Sequence, residues 1–168
     1  GNAVQEQYRT LETARLEAEV TSHTSTDSRT FTLLCSYDAD GDAVTTVTAP
    51  GELAGLTAVV SGTDMTLSSE GLQLPAGASL DICPANCLPY LLRALADGYV
   101  LEQSSEALDD TPCLRLALDT TAPGGGKVLC AVWLDAEGLF PRYAEFSRNE
   151  QVVLTVKLLA FTCTTSEG

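Results

Sequence analysis

Residues 127–135, KVLCAVWLD, and residues 151–163, QVVLTVKLLAFTC, are apolar on both sides of an extended chain. In the first run Val128, Cys130, Val132 and Leu134 fall on one side and Leu129, Ala131 and Trp133 on the other, because side chains alternate along a strand. In the second, Val152, Leu154, Val156 and Leu158 stand beside Val153, Leu159 and Phe161. An antiparallel sheet with one solvated face does not need a second apolar row, so that row requires a cover. Either a helix lies over it or the sheet curls around an apolar interior. Both readings lead to an α+β fold: a strongly curved antiparallel sheet, an incomplete β-barrel, covered by an N-terminal helix and an inserted helix.

The remaining sequence supplies those parts. Val4, Tyr8 and Leu11, at i, i+4 and i+7, predict a short N-terminal helix. From Ala14 the period changes to two: Ala14, Leu16, Ala18 and Val20 alternate with Arg15, Glu17 and Glu19. Phe31, Leu33, Cys35 and Tyr37 repeat the pattern after a polar turn around Thr26-Asp27-Ser28, which gives a hairpin. Short strands follow at 44–48, 56–60, 65–68 and 71–74, separated by Asp40-Gly41, Pro50-Gly51, Ser61-Gly62-Thr63-Asp64 and Ser69-Glu70. No crossover helix divides them, as an antiparallel meander requires. Residues 79–98 then break the meander with one helix. Leu88, Leu91, Leu92 and Leu95 have helical spacing, Pro84 and Pro89 lie near its start, where a missing N–H is tolerated, and Gly98 stops it. Longer strands at 99–104, 113–119, 127–135, 143–147 and 152–163 complete a single domain over residues 1–168, without repeat or linker.

Hydrophobic residues make up 45% of the 168, enough for a chain of this length to bury roughly two thirds of its unfolded surface. Nine Lys+Arg against 23 Asp+Glu give a net charge of −14, a field that repels polyphosphate and excludes nucleic acid as a partner. No apolar run is long enough for a membrane-crossing helix. Gly1-Asn2-Ala3 reads as a trimmed start, so membrane contact is expected only through a removed leader or lipid-anchored cysteine. The oligomeric state stays open.

Six cysteines, Cys35, Cys83, Cys87, Cys113, Cys130 and Cys163, fit an oxidising compartment with disulfides. Cys83 and Cys87, four residues apart beside prolines, are the expected pair; the other four leave three connectivities. Buried free thiols are the alternative, and zinc is disfavoured by a single histidine and only one close cysteine pair.

No motif for catalysis emerges. Asp38-x-Asp40-Gly41-Asp42 begins like a calcium loop, but its glycine is fourth instead of sixth and the twelfth residue is Ala49. His23 has no nucleophile elbow to serve. The acidic pairs Asp109-Asp110 and Asp135/Glu137 sit at turns, where carboxylates are usually solvated; a glycosidase would need two of them brought together in space. Gly124-Gly125-Gly126-Lys127 lies between strands and lacks the Ser/Thr of a phosphate loop. The reading is therefore non-catalytic, with no metal and no cofactor.

The order of elements resembles the lipoprotein-carrier (LolA/LolB-like) family of bacterial envelopes. The strongest local likeness is VWLDAEGLFPRYAEF, residues 132–146, which is similar to that family's hairpin ending in Asp-x-x-Gly-Leu-Pro, with Phe140 inserted before Pro141. The early hairpin, ARLEAEVTS followed by RTFTLLCSYDADGDAV, is similar in kind. The resemblance implies a concave apolar face that holds lipid acyl chains, in an extracytoplasmic, lipid-anchored protein of the bacterial envelope. It equally admits relatives that act through protein partners, among them a spore-germination lipoprotein supporting a cell-wall amidase. No arginine here matches the carriers' functional arginine.

Two functions are thus expected: a binding protein for lipid or another hydrophobic ligand, or a regulatory lipoprotein with a filled barrel and an envelope protein as partner. For the first, an apolar groove is expected between the inserted helix and the long strands, with Leu88, Leu91, Leu92, Leu95, Trp133, Val156 and Leu158 as its ligand-binding residues. The competing reading makes the leucine stripe ordinary core.

Overall fold

The computed structural model describes residues 3–23, 26–62, 64–69, 72–78, 82–122 and 124–166, with residues 72–78 described through their backbone. Parts of the expected turns at Ser69-Glu70 and Pro123-Gly124, and the first residues of the inserted segment from Ser79, lie outside the described residues. Helix α1 (Ala3–Arg9) leads into β1 (Leu11–His23), β2 (Ser28–Asp38), β3 (Ala43–Ala49), a single 3-10 turn (Gly51–Leu53), β4 (Thr57–Ser61), β5 (Asp64–Ser69) and β6 (Leu72–Ala78). Helix α2 (Cys87–Asp97) follows, then β7 (Tyr99–Leu108), β8 (Thr111–Thr121), β9 (Lys127–Asp135), β10 (Pro141–Arg148) and β11 (Gln151–Thr165).

All strands join one curved antiparallel sheet in the order β6-β5-β4-β3-β2-β1-β11-β10-β9-β8-β7. The first and last strands meet at its centre, with Leu16 opposite Phe161 and Val20 opposite Val156. The chain must therefore travel from one outer edge, β6, to the other, β7, and α2 makes that journey. A helix on this route buries its leucine stripe: Leu88, Leu91 and Leu95 have no exposed surface and Leu92 has 1%. They share one core with Leu16, Ala18 and Val20 of β1, Leu33 and Cys35 of β2, and the inward rows of β8 to β11.

Local chemistry explains the boundaries. Leu11 opens β1 instead of closing α1, because Thr10 ends the helix with its hydroxyl bonded to the Gln7 carbonyl at 2.8 Å. Pro89 sits in the first turn of α2, where its missing donor costs nothing. Gly98 ends α2 with φ −65°, so close approach, not a left-handed backbone, demands glycine: a Cβ there would meet the Ala94 carbonyl at 2.6 Å and Leu118 at 3.3 Å. The two-residue turns after β7 and β10 carry positive φ at Asp109, Asp110, Asn149 and Glu150, the conformation that matches strand twist in tight hairpins.

The second apolar row is treated differently in the two late strands: in β11 a register shift opposite Glu17 and Ala18 lets Phe161 join the main core, whereas in β9 the row lies on the other face of the sheet, with Leu129 exposed. On the convex face Trp133, Ala131 and Cys113 gather with Leu108 and Tyr143 into a small separate cluster. The Arg115 guanidinium lies 5.2 Å from the Trp133 ring centroid, and its stem covers apolar surface while its charge stays near Glu102 and Glu106. Helix α1 braces the concave side: the Gln5 amide donates to the Gly98 carbonyl at 2.6 Å and the Tyr8 hydroxyl to the Leu139 carbonyl at 2.7 Å.

Candidate apolar binding site

The core under α2 engages β1, β2 and β8 to β11, with Val47 of β3 packed at its margin, but the fully buried inward residues of β3 and β4 stay outside it. Those residues are small: Ala43, Thr45, Ala58 and Val60, all buried. Thr45 faces Cys35 on β2 and Ala58 on β4 across the sheet. Small side chains on adjacent strands leave a hollow, and an apolar pocket of about 220 Å³ occupies it. Phe31 and Leu33 of β2, Val47 of β3 and Leu67 of β5 form its walls, Leu53 and Leu56 contribute from the connection after β3, and Cys83 to Ala85 close one side.

Nearly all of that lining is hydrocarbon. Thr45, 3% exposed, lines it from β3 with its side chain beside Cys35. Burial raises the Cys35 thiol's pKa, and its interaction with the Thr45 side chain offsets part of that rise.

The expected Cys83–Cys87 disulfide is not formed, and all six cysteines are thiols. The local backbone explains this: the Cys87 N–H donates to the Cys83 carbonyl at 3.0 Å, starting the turn that enters α2. The Cys87 thiol is directed at the Pro84 carbonyl, 3.6 Å away. Complete burial holds the Cys87 thiol well above its ordinary pKa, and the nearby Cys83 and Cys35 sulfurs add to the effect. The thiol is thus kept protonated as a packing group.

The seven residues expected to line a groove are placed as follows. Leu88, Leu91, Leu92, Leu95 and Val156 come together in the main core, and Leu158 lies at its margin. Trp133 is on the opposite face of the sheet. None of the seven lines the 220 Å³ pocket. That pocket was legible only as a difference in residue size, since β3 and β4 carry alanine and threonine inward where the late strands carry leucine, valine and phenylalanine.

The polar candidates are structural. His23 bonds Ser28 at 3.2 Å and Thr155 at 3.3 Å across the hairpin end. Asp135 accepts the Glu137 N–H at 2.8 Å and two Arg142 donors at 2.8 and 2.6 Å, and its carboxyl is held below the ordinary value, first by that backbone N–H and then by Arg142. Asp38 accepts the Asp40 N–H at 2.9 Å, which accounts for the acidic turn. Among the described residues no three His, Cys, Asp or Glu side chains gather as a metal site. A larger cleft of about 450 Å³ beside α2 has charged walls, with Arg93, Asp97 and Asp119 beside Tyr90 and Tyr99, and is open to solvent.

No protein-family model matches the sequence, and no curated protein matches it. Solved structures do match in fold. A DUF1329 family protein from Desulfovibrio piger superposes with a TM-score of 0.58 at 12% identity, covering 98% of this chain and 90% of its own. A domain assigned to outer membrane lipoprotein sorting from Vibrio parahaemolyticus gives 0.54 at 12%, covering 98% and 92%. A LolA superfamily protein from Nitrosomonas europaea gives 0.50 at 13%, covering 98% and 93%. The chain has the LolA-like fold.

Proposed function

We propose that this protein is a non-catalytic, extracytoplasmic binding protein of the bacterial envelope, lipid-anchored in its full form, that takes a lipid or another hydrophobic ligand on its concave face. The observation that carries the reading is the apolar pocket left where β3 to β5 curve away from the helix-filled core. Pockets with apolar walls and few polar groups are the ordinary form of small-molecule sites. The likeness in fold to a domain assigned to outer membrane lipoprotein sorting supports both the ligand class and the location.

The test is titration of the folded protein with a neutral fluorescent probe, N-phenyl-1-naphthylamine, beside the Val47→Asp variant. Saturable binding that Val47→Asp abolishes, with an unchanged circular dichroism spectrum, is the expected result. A folded wild-type protein that binds nothing would remove the reading. The alternative, regulation through contacts with an envelope protein, is favoured by one observation: edge strand β7 exposes Tyr99 at 72% and Leu101 at 51%, an apolar pair on an unpaired strand edge where another chain could add.

A further inference from the structure

Resting on that reading, we infer that the pocket takes a single-chain amphiphile with an anionic head, its tail in the apolar hollow and its carboxylate or phosphate against Arg29 at the mouth. Strand β2 turns alternate residues to the concave face, and pairing sets each beside an inward residue of β1: Cys35 opposite Leu16, Leu33 opposite Ala18, Phe31 opposite Val20 and Arg29 opposite Ser22. The row is apolar for three positions and cationic at the fourth. A second hollow, of about 230 Å³, begins there, lined by Ser22, Asp27, Arg29, Phe31 and Pro84. Phe31 and Pro84 also line the apolar pocket, so the two hollows adjoin, one walled by hydrocarbon and the other carrying charged side chains. Two residues of extended chain, about 7 Å, separate Phe31 from Arg29, the span of a few methylenes.

Arg29 has its charge to give. It is exposed and makes no ion pair among the described residues, whereas Arg9, Arg115, Lys127 and Arg142 each lie within 4.0 Å of a carboxylate. Asp27, the acidic residue of the same hollow, accepts the Ser28 N–H at 2.8 Å and so serves the hairpin turn. A guanidinium presents paired donors that match a carboxylate or a phosphate, and it holds either more tightly than a neutral oxygen. The net charge of −14 repels anions from the surface at large, so an anionic head requires a cation at the mouth. Size limits the tail. A cavity of about 150 Å³ accommodates one benzene ring, and drug-sized ligands use about 300 Å³ or more. At about 220 Å³ the apolar pocket has room for a segment of one chain and not for two tails side by side.

The experiment is displacement of N-phenyl-1-naphthylamine by octanoate, octyl phosphate, octan-1-ol and octylammonium, which share one tail, on wild type, Arg29→Gln and Arg29→Lys. Acetate and inorganic phosphate serve as heads without a tail. At constant ionic strength, wild type should prefer octanoate or octyl phosphate to octylammonium, and neither tailless anion should displace the probe. The affinity ratio of octanoate to octan-1-ol should fall about fivefold in Arg29→Gln, as expected for one partly solvated charge pair, and less in Arg29→Lys, which keeps the charge. Arg29 is exposed, and thermal melts confirm that both variants fold. A ratio that Arg29→Gln leaves unchanged, an equal fall in both variants, or a wild type that prefers octylammonium overturns the role of Arg29 and leaves the apolar pocket standing. Displacement by acetate or inorganic phosphate alone would make the site one for a free anion and overturns the amphiphile. Absence of any probe binding overturns this inference and the binding reading together.

Discussion

Under α2, β9 presents Val128, Cys130, Val132 and Leu134 to a core without exposed surface, whereas β3 and β4 present Ala43, Thr45, Ala58 and Val60 and leave a hollow. The same sheet, on the same concave face, is filled in one half and open in the other. Inward residue size makes the difference, and the route of α2 reinforces it. Ion pairs follow the filled half as well: Arg9 with Asp97, Arg115 with Glu102, Lys127 with Asp119 and Arg142 with Asp135. The filled half is built for stability, and the open half has volume to give to a ligand.

The sharpest way to break this contrast is to place the same charge in each half. Leu92→Asp puts a carboxylate into a core position with 1% exposure, losing a leucine's packing and desolvating a charge. Each effect costs several kcal/mol, so a loss of about 5 kcal/mol or more is expected, enough to unfold a domain whose whole stability is roughly 5–15 kcal/mol. Val47→Asp, on the rim of the open half, should cost about 1 kcal/mol and leave the fold intact. Urea denaturation of the two variants decides it; equal losses would mean that both halves are core.

Much of the fold was legible before the structure. Period-two alternation in β1 and β2, the leucine stripe of α2 and the turn residues marked both helices and the eleven strands, though not the 3-10 turn at Gly51–Leu53, because each of those signals is local. The groove was harder. Strands apolar on both faces suggested a space near Trp133, but a strand's two rows are indistinguishable in sequence, and Trp133 belongs to the convex cluster under Arg115. The hollow instead follows from two small residues, Thr45 and Ala58, brought side by side by strand register. Register is a non-local property that single-strand patterns do not carry.

Alkaline pH should weaken the filled half through its buried thiols. Cys87 and Cys130 are fully buried, and burial raises both pKa values in the folded chain. For a raised pKa the stabilisation is complete below the unfolded thiol value, about 8.5, and declines as pH rises from there toward the folded value. One unit above that, each thiol has forfeited about 1.4 kcal/mol, so urea midpoints should drop between pH 7.5 and 9.5. Cys35, in the same core, is raised by burial too, so Cys130→Val should show a smaller drop that keeps the share of Cys87 and Cys35. An identical slope in wild type and variant would place the loss elsewhere.

Ligand should act on the open half alone. At a hundred times its dissociation constant, a bound hydrophobic ligand adds about 2.7 kcal/mol to stability. Val47→Asp should lose this increment on top of its own small cost, and a melt of both proteins with and without octan-1-ol measures it. An increment that survives in Val47→Asp would locate binding outside the hollow.

The smallest expected effect concerns the Asp135–Arg142 pair, which ties the turn between β9 and β10 at the end of the filled half. Its carboxyl is held below the ordinary value, by the Glu137 N–H first and by Arg142 next. A depressed pKa contributes stability that is present above the unfolded carboxyl value, about 3.9, and is lost as pH falls from there through the folded value. Asp135→Asn keeps the shape and removes the titration, so its stability should fall at pH 7 and approach the wild type's as pH drops below about 4. Arg142 also lies 5.1 Å from the Phe140 ring centroid, so it remains placed when the charge opposite is gone. Because the pair is local to one turn, the hollow 220 Å³ pocket on β3 to β5 should bind its probe with unchanged affinity in Asp135→Asn. A change in probe affinity would show that the two halves are mechanically coupled through the central strands β1 and β11, and the division between filled and open halves would no longer describe independent parts.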